Sequence, residues 1–187
     1  GKINEMNSSE LINYRYKENN ILGLVQLKDL CSLVKNLNYN NLIFLHIKEL
    51  KDIDKVMEIL KKYDLSKNIR FFACDEISLQ LIKTIEEKYP EYKAGLHFND
   101  YSALKEEEFE LADFIWADET KKENITKELI DFSHRLKKSV YAISPELIGE
   151  SIFNSNVNKR WKELLDSNVD GICTDLIQEF NEFNFYP

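Results

Sequence analysis

Glycine and proline are scarce: the 187 residues include five Gly and three Pro. No Gly-rich loop is present, and no GxxxxGK(S/T), GxSxG or HExxH motif occurs. Nucleotide binding by a P-loop or Rossmann turn is therefore not expected, because both need glycines that let backbone N–H groups close on phosphate. A Gly/Ser/Pro-rich linker is also missing. The chain is expected to be one domain, 1–187, with a helical lead-in over 1–40 and six βα units over 41–187. Cysteine is sparse too. Cys31, Cys74 and Cys173 lie far apart, odd in number and without a CxxC pair. That pattern supports neither a disulfide framework nor a zinc site and fits a reducing, cytoplasmic setting. Basic residues are outnumbered, 25 Lys+Arg against 33 Asp+Glu, for a net charge of −8. No basic stripe marks a nucleic-acid binder. No apolar run approaches the roughly 18–20 residues of a membrane span, and the opening Gly1-Lys2-Ile3-Asn4-Glu5 is not a signal peptide.

Apolar content is ample: 43% hydrophobic and 12% aromatic residues exclude a disordered chain. A domain of this size hides roughly 70% of the surface its unfolded chain exposes. The apolar residues fall into six short runs rich in β-branched and aromatic side chains: Leu42–Ile47, Ile69–Cys74, Lys93–Phe98, Asp113–Ala117, Ser139–Ser144 and Asp170–Thr174. Their starts lie 20 to 31 residues apart, the length of one βα unit with its loops. Near-continuous apolar runs are the mark of parallel strands covered on both faces.

Between the runs lie amphipathic stretches with apolar residues at helical spacing. Asp52–Tyr63 carries Ile53, Val56, Ile59 and Leu60 on one face. Glu76–Lys88, Thr126–Leu136 and Val157–Ser167 repeat the pattern, Tyr101–Leu111 is a weaker acidic version, Leu27–Leu37 precedes the first run, and Leu176–Phe183 closes the chain. Strand–helix alternation implies right-handed crossovers and a parallel sheet. A doubly wound sheet and an incomplete or modified (β/α)8 TIM-barrel-like fold with about six strands both satisfy it.

In parallel α/β folds chemistry sits at the carboxyl ends of the strands. Those ends carry His46 and Lys48, Asp75, His97 and Asp100, Asp118 and Glu119, Ser144 and Glu146, and Thr174 and Asp175. Two readings stay open: a convergent rim, or the ordinary polarity of loops. His46 and Lys48 stand two apart in an otherwise apolar strand and so share a face. Lys48 suits phosphate as a point charge, or it pairs with Asp52 at the next helix start. His134, and the cationic runs Lys121-Lys122 and Arg135–Lys138, are read as solvated surface.

Several segments resemble glycerophosphodiester phosphodiesterases. Asn168-Val169-Asp170-Gly171-Ile172-Cys173-Thr174-Asp175 is similar to that family's closing Gly-Val-Asp-Gly-Ile-(Ile/Cys)-Thr-Asp strand, with Asn for the first Gly. Gly1–Leu11 resembles the Gly-x-(Ile/Val)-x-x-(Met/Leu)-Thr-x-x-Glu-Leu stretch after the family's second strand. Ile21–Leu24 with Leu27 and Leu30 stands where the family has an Ile-Pro-Thr-Leu turn into a helix. Leu45–Lys48 stands at its Glu-Ile-Lys strand, and Val140–Glu146 at a strand ending Trp-Thr-Val-Asn. The resemblance covers nearly the whole chain in order.

The departures fall on the chemistry. The family's His-Arg pair, Glu-x-Asp metal pair and second catalytic His precede the matched region, and none is in this chain. The Glu of Glu-Ile-Lys is His46 here, and the Trp-Thr-Val-Asn end is Ile143-Ser144-Pro145-Glu146. The resemblance implies an incomplete or modified (β/α)8 TIM-barrel-like fold, (βα)6 in this chain, and metal-assisted hydrolysis of a glycerophosphodiester, with Mg or Ca polarising phosphoryl oxygens and two His moving protons. The expected site has Lys48 and His46 as catalytic groups, His97, Trp116 and Glu146 as substrate contacts, and Asp118 and Asp75 as metal carboxylates. The isolated chain is expected to be inactive. The alternative is a non-catalytic binding or scaffold domain attached to an enzyme that handles phosphodiester-linked sugars or polyols. The expected partners are a small phosphate-bearing ligand and a second copy or the N-terminal segment Ile3–Tyr16 on an open sheet edge. A lipid-metabolism role in a bacterial-type protein accompanies the resemblance.

Overall fold

A computed structural model of the chain describes residues 25–74, 76–98, 105–119, 123, 125–143, 145–146 and 157–185. They fall into two compact units. The first, described over 25–41 and 51–68, holds helices α1 (Leu27–Asn36) and α2 (Ile53–Tyr63), which pack on each other. Both are amphipathic. α1 buries Cys31 and Val34, and α2 buries Ile53, Met57 and Leu60. α2 ends at Asp64, whose left-handed backbone (φ 56°) stops the helix. Asn68 then donates to the Tyr39 and Asn41 carbonyls at 3.2 and 3.3 Å. Asp52, one possible partner of Lys48, pairs with Lys55 at 3.2 Å.

The second unit is described over 42–50 and from residue 69 onward and contains the sheet. Its strands are β1 (Ile43–His46), β2 (Ile69–Phe72), β3 (Lys93–Phe98), β4 (Phe114–Asp118), β5 (Ser139–Ile143) and β6 (Gly171–Cys173). Helices α3 (Glu76–Lys88), α4 (Glu106–Leu111), α5 (Lys127–Arg135), α6 (Val157–Asp166) and α7 (Ile177–Phe185) alternate with them. All five strand pairings are parallel and the spatial order is the sequence order, β1 to β6. The six expected strands are the six observed: β3 has the expected bounds and the others shift at an end by one or two residues. The largest shift is at β2, which stops at Phe72 and leaves Cys74 beyond the strand end. Of the weak helix expected over Tyr101–Leu111, the described part is Glu106–Leu111; residues 101–104 lie outside the described residues.

Sequential order distinguishes a barrel-type sheet from a doubly wound one, which reverses direction partway. The aromatic contacts show the curl directly. Neighbouring strands lie about 4.8 Å apart, so a flat sheet would hold β1 and β5 about 19 Å apart. Yet the Phe44 ring of β1 lies 4.9 Å from the Tyr141 ring of β5. The sheet therefore bends until its concave side chains meet. Phe44, Phe72, Phe114, Trp116 and Tyr141 fill that side, with Phe72 stacked on Trp116 at 4.3 Å. Two strand glycines make room for them. A Cβ at Gly95 would overlap the Phe114 ring, and one at Gly171 would come within 2.9 Å of Tyr141. The convex side is buried along its centre, where Phe71, Leu96, Ile115, Val140 and Ala142 are at most 2% exposed, and half-buried at the outer strands, at Leu45 and Ile172. This is the two-faced burial that the unbroken apolar runs imply. Among the described residues no helix is long and apolar enough to cross a membrane.

Candidate functional site

The parallel order puts every described strand end on the same side of the sheet. β1 delivers His46, whose ring lies flat on Phe72 at 4.5 Å. That stack continues through Phe72 to Trp116, so the imidazole plane is fixed by packing. The last bond between the two strands runs from the Ile47 amide to the Phe72 carbonyl at 2.8 Å. Beyond it the chain leaves β2 and places Cys74 Sγ 3.4 Å from His46 Nε2. Burial is the main cause that lowers the proton affinity of His46, and the charges of Lys48 and His97 add to it. The imidazole is thus kept neutral below the pH at which an ordinary histidine charges. Lys48 itself is exposed.

β3 and β4 bring a second imidazole and a carboxylate together. His97 Nε2 lies 3.7 Å from Asp118 Oδ2, an electrostatic contact rather than a hydrogen bond. The His97 amide donates to Ser78 Oγ at 3.0 Å, which ties the strand to the start of α3. Trp116, expected to touch substrate, is 5% exposed and packed among Phe44, Phe72, Phe114 and Tyr141.

Glu119, one residue past Asp118, has a structural partner. Its carboxylate accepts from Arg160 Nε at 2.8 Å, from Arg160 Nη2, and from the Ile125 amide at 2.9 Å. Arg160 Nη2 also donates to the Ile125 carbonyl at 2.8 Å. Burial opposes the guanidinium charge, but the hydrogen bonds and charge of Glu119 outweigh it, so Arg160 binds its proton more tightly than usual. Sequence reading missed this pair because Arg160 is one cation among several on an amphipathic helix.

After β5, Glu146 is buried. Its Oε1 accepts the Asp175 amide at 2.7 Å, while Oε2 has no hydrogen-bond partner among the described residues. Burial, Glu146 and Asp175 together push the Cys173 thiol up. Asp75, Asp100, Ser144, Lys121 and Lys122 lie outside the described residues, as does the segment Ile3–Tyr16. His134, expected on the surface, is half-buried and bonded to Asp170 Oδ2 at 2.8 Å. The run Arg135–Lys138 is not simply solvated either. Arg135 lies over the Phe132 ring at 5.7 Å, and Lys138 donates to the Glu110 and Ala112 carbonyls at 3.1 and 2.5 Å.

The described donors do not fit the Mg or Ca ion that the family resemblance implies. No three His, Cys, Asp or Glu side chains among the described residues are grouped to hold a metal ion. The β1 end offers imidazole and thiol beside the Lys48 cation, whereas hard divalent ions take oxygen ligands.

No protein-family profile matches the sequence, and no curated protein matches it. Solved structures do match in three dimensions. A Galdieria sulphuraria protein assigned as a glycerophosphodiester phosphodiesterase superposes with a TM-score of 0.76 at 18% identity, covering 98% of this chain and 72% of its own. A glycerophosphoryl diester phosphodiesterase from Parabacteroides distasonis gives 0.72 at 16% identity, covering 98% of this chain and 64% of its own. A second protein of that organism, a glycerophosphodiester phosphodiesterase, gives 0.68 at 14% identity, covering 93% and 68%. This chain therefore spans about two thirds to three quarters of the length of those proteins and has their curled parallel α/β fold.

Proposed function

We propose that this chain is a glycerophosphodiester phosphodiesterase-like domain that binds a small phosphate-bearing ligand at the carboxyl ends of its strands and does not itself cleave phosphodiesters. The observation that carries this reading is the chemistry at the end of β1. Where the resemblance implies a metal-binding carboxylate, the chain has His46, kept neutral by burial and by the nearby charges of Lys48 and His97. At the end of β1, Lys48, His46 and Cys74 supply no carboxylate oxygen for a divalent ion, and the Lys48 cation attracts a dianion. Lys48 supplies the exposed point charge for phosphate. The neutral His46 offers a hydrogen bond without a charge. Hydrolysis would need proton-transfer groups worth roughly 10²- to 10⁴-fold each, and the His-Arg and second His motifs that provide them in the resembling family do not occur in this sequence.

The test has two arms. In the first, inorganic phosphate and glycerol phosphate are titrated against the chain and against Lys48→Ala. Weaker binding to the variant is expected, and equal binding removes Lys48 from the site. In the second, glycerophosphocholine is incubated with the chain and Mg, Ca or Mn, and glycerol phosphate is assayed. No release is expected. Metal-dependent turnover that Lys48→Ala abolishes would show an active site rebuilt on this rim.

A further inference from the structure

The rim of the second unit has two poles of opposite charge. At the end of β1 the pole is positive: Lys48 is exposed, and its charge acts on His46. At the ends of β5 and β6 the pole is negative. Glu146 is 1% exposed, its Oε1 accepts the Asp175 amide at 2.7 Å, and its Oε2 has no hydrogen-bond partner among the described residues. On the phosphate-binding reading above, on which this inference rests, we propose that the rim selects a phosphate ester carrying a primary ammonium group, with the phosphate at Lys48 and the ammonium donating to Glu146 Oε2.

Both poles border one mouth. Phe44 of β1 and Tyr141 of β5 meet at 4.9 Å across the concave side. Residues two apart on a strand share a face, so His46 follows Phe44 onto that side, where its ring lies on Phe72. Gly171 faces the Tyr141 ring, so Cys173 follows it in the same way. Cys173 is exposed there, and burial of its sulfur together with the carboxylates of Glu146 and Asp175 pushes its thiol up. The negative charge thus acts on the concave side at β6, as the Lys48 charge does at β1.

The chemistry of Glu146 Oε2 narrows the partner. A buried carboxylate oxygen without a donor carries a desolvation cost. An ammonium N–H relieves it with a charge-assisted hydrogen bond, about twice as strong as a neutral one. A hydroxyl donates without the charge, and a quaternary ammonium brings the charge without a donor. Glu146 also stands where the resembling family's Trp-Thr-Val-Asn ends in Asn. An amide oxygen can accept the Asp175 N–H as Oε1 does, but only a carboxylate adds a charge.

Phosphoethanolamine, phosphocholine, glycerol phosphate and inorganic phosphate are titrated calorimetrically against the chain and against Glu146→Gln. Phosphoethanolamine is expected to bind about 10- to 100-fold more tightly than phosphocholine or glycerol phosphate, the worth of a hydrogen bond to a charged group. Glu146→Gln is expected to lose that preference. Phosphoethanolamine that binds no more tightly than the other two esters overturns the proposal, as does a folded Glu146→Gln chain that keeps the preference. In either case binding of inorganic phosphate that Lys48→Ala weakens leaves the phosphate site standing. If none of the four ligands binds, the phosphate reading fails and the ammonium site with it. Should Glu146→Gln unfold, the ranking of the three esters by the unaltered chain still decides.

Discussion

The two ends of the sheet treat their polar groups differently. At the amino ends, polar groups are closed on one another. Asp113, just before β4, accepts from Lys93 at 2.7 Å and from the Ala94 amide at 2.9 Å. Asp170, just before β6, accepts the Val140 amide at 2.7 Å and meets His134 at 2.8 Å. Lys138, before β5, bridges two carbonyls. At the carboxyl ends, His97 and Asp118 stand 3.7 Å apart, Glu146 Oε2 is buried without a partner among the described residues, and His46 is held neutral. Satisfied groups at one end fix strand register. At the other end Glu146 Oε2, buried with no hydrogen-bond partner among the described residues, carries a desolvation cost that a ligand can relieve. On the proposed function the carboxyl ends are the chemical end of this chain and the amino ends the stabilising one, the division that parallel barrels display.

Glu119 is the exception on the chemical end, and it provides the largest expected effect. Its carboxylate is fully buried and joined to Arg160. Glu119→Ala leaves the buried guanidinium with only the partly exposed Glu163 carboxylate, 3.2 Å from Nη1, as a paired counter-charge, so a loss near the lower end of about 3–5 kcal/mol is expected in chemical denaturation. The paired replacement Glu119→Leu with Arg160→Met should cost less than the single change, because no charge is then stranded. A single change that costs no more than a surface substitution would move Glu119 out of the structural group and back among the candidate site residues.

The closed end should respond next. Asp113→Ala removes a carboxylate shared by Lys93 and the Ala94 amide. Lys93 is half exposed and contributes little. The buried amide matters more, and a loss of about 1–2 kcal/mol is expected. Equal stability of the variant and the unaltered chain would show that water replaces the carboxylate there, and the contrast between the two ends would weaken.

The sequence made the fold readable because period and position are local properties. Six apolar runs and the helical spacing between them need no knowledge of distant contacts, and all six strands were legible from them. Periodicity left the choice between a curled and a doubly wound sheet open, because it depends on strand order, which loops of similar length do not encode; the resemblance carried by segments such as Asn168–Asp175 implied the barrel-type sheet, and the sequential order β1 to β6 agrees with it. His46 and Lys48 stood out as polar residues in an apolar strand. Cys74 did not, because its thiol reads as one more apolar residue in the run Ile69–Cys74, and only the strand's end at Phe72 turns it toward His46. Arg160 was hidden for a similar reason: a cation on a helix looks solvated until its partner, 41 residues away, is known.

The smallest effect distinguishes the chemical end by its response to acid. Burial, Lys48 and His97 hold the proton affinity of folded His46 below the ordinary value of 6.5. The unfolded chain therefore binds more protons at this residue than the folded chain as the pH drops below that value. Stability linked to His46 is complete above the unfolded value and is lost as the pH falls through it toward the folded one. Urea denaturation followed from pH 7.5 to 5 should show this decline, and His46→Gln should flatten it, since glutamine does not titrate there. A ligand that carries negative charge should oppose the decline, because a dianion beside Lys48 raises the proton affinity of His46. Phosphate added at the acid end of the series is therefore expected to restore part of the lost stability in the unaltered chain and less in His46→Gln. An equal acid slope in both chains would show that His46 is not the group that titrates, and equal rescue by phosphate would place the anion away from the end of β1.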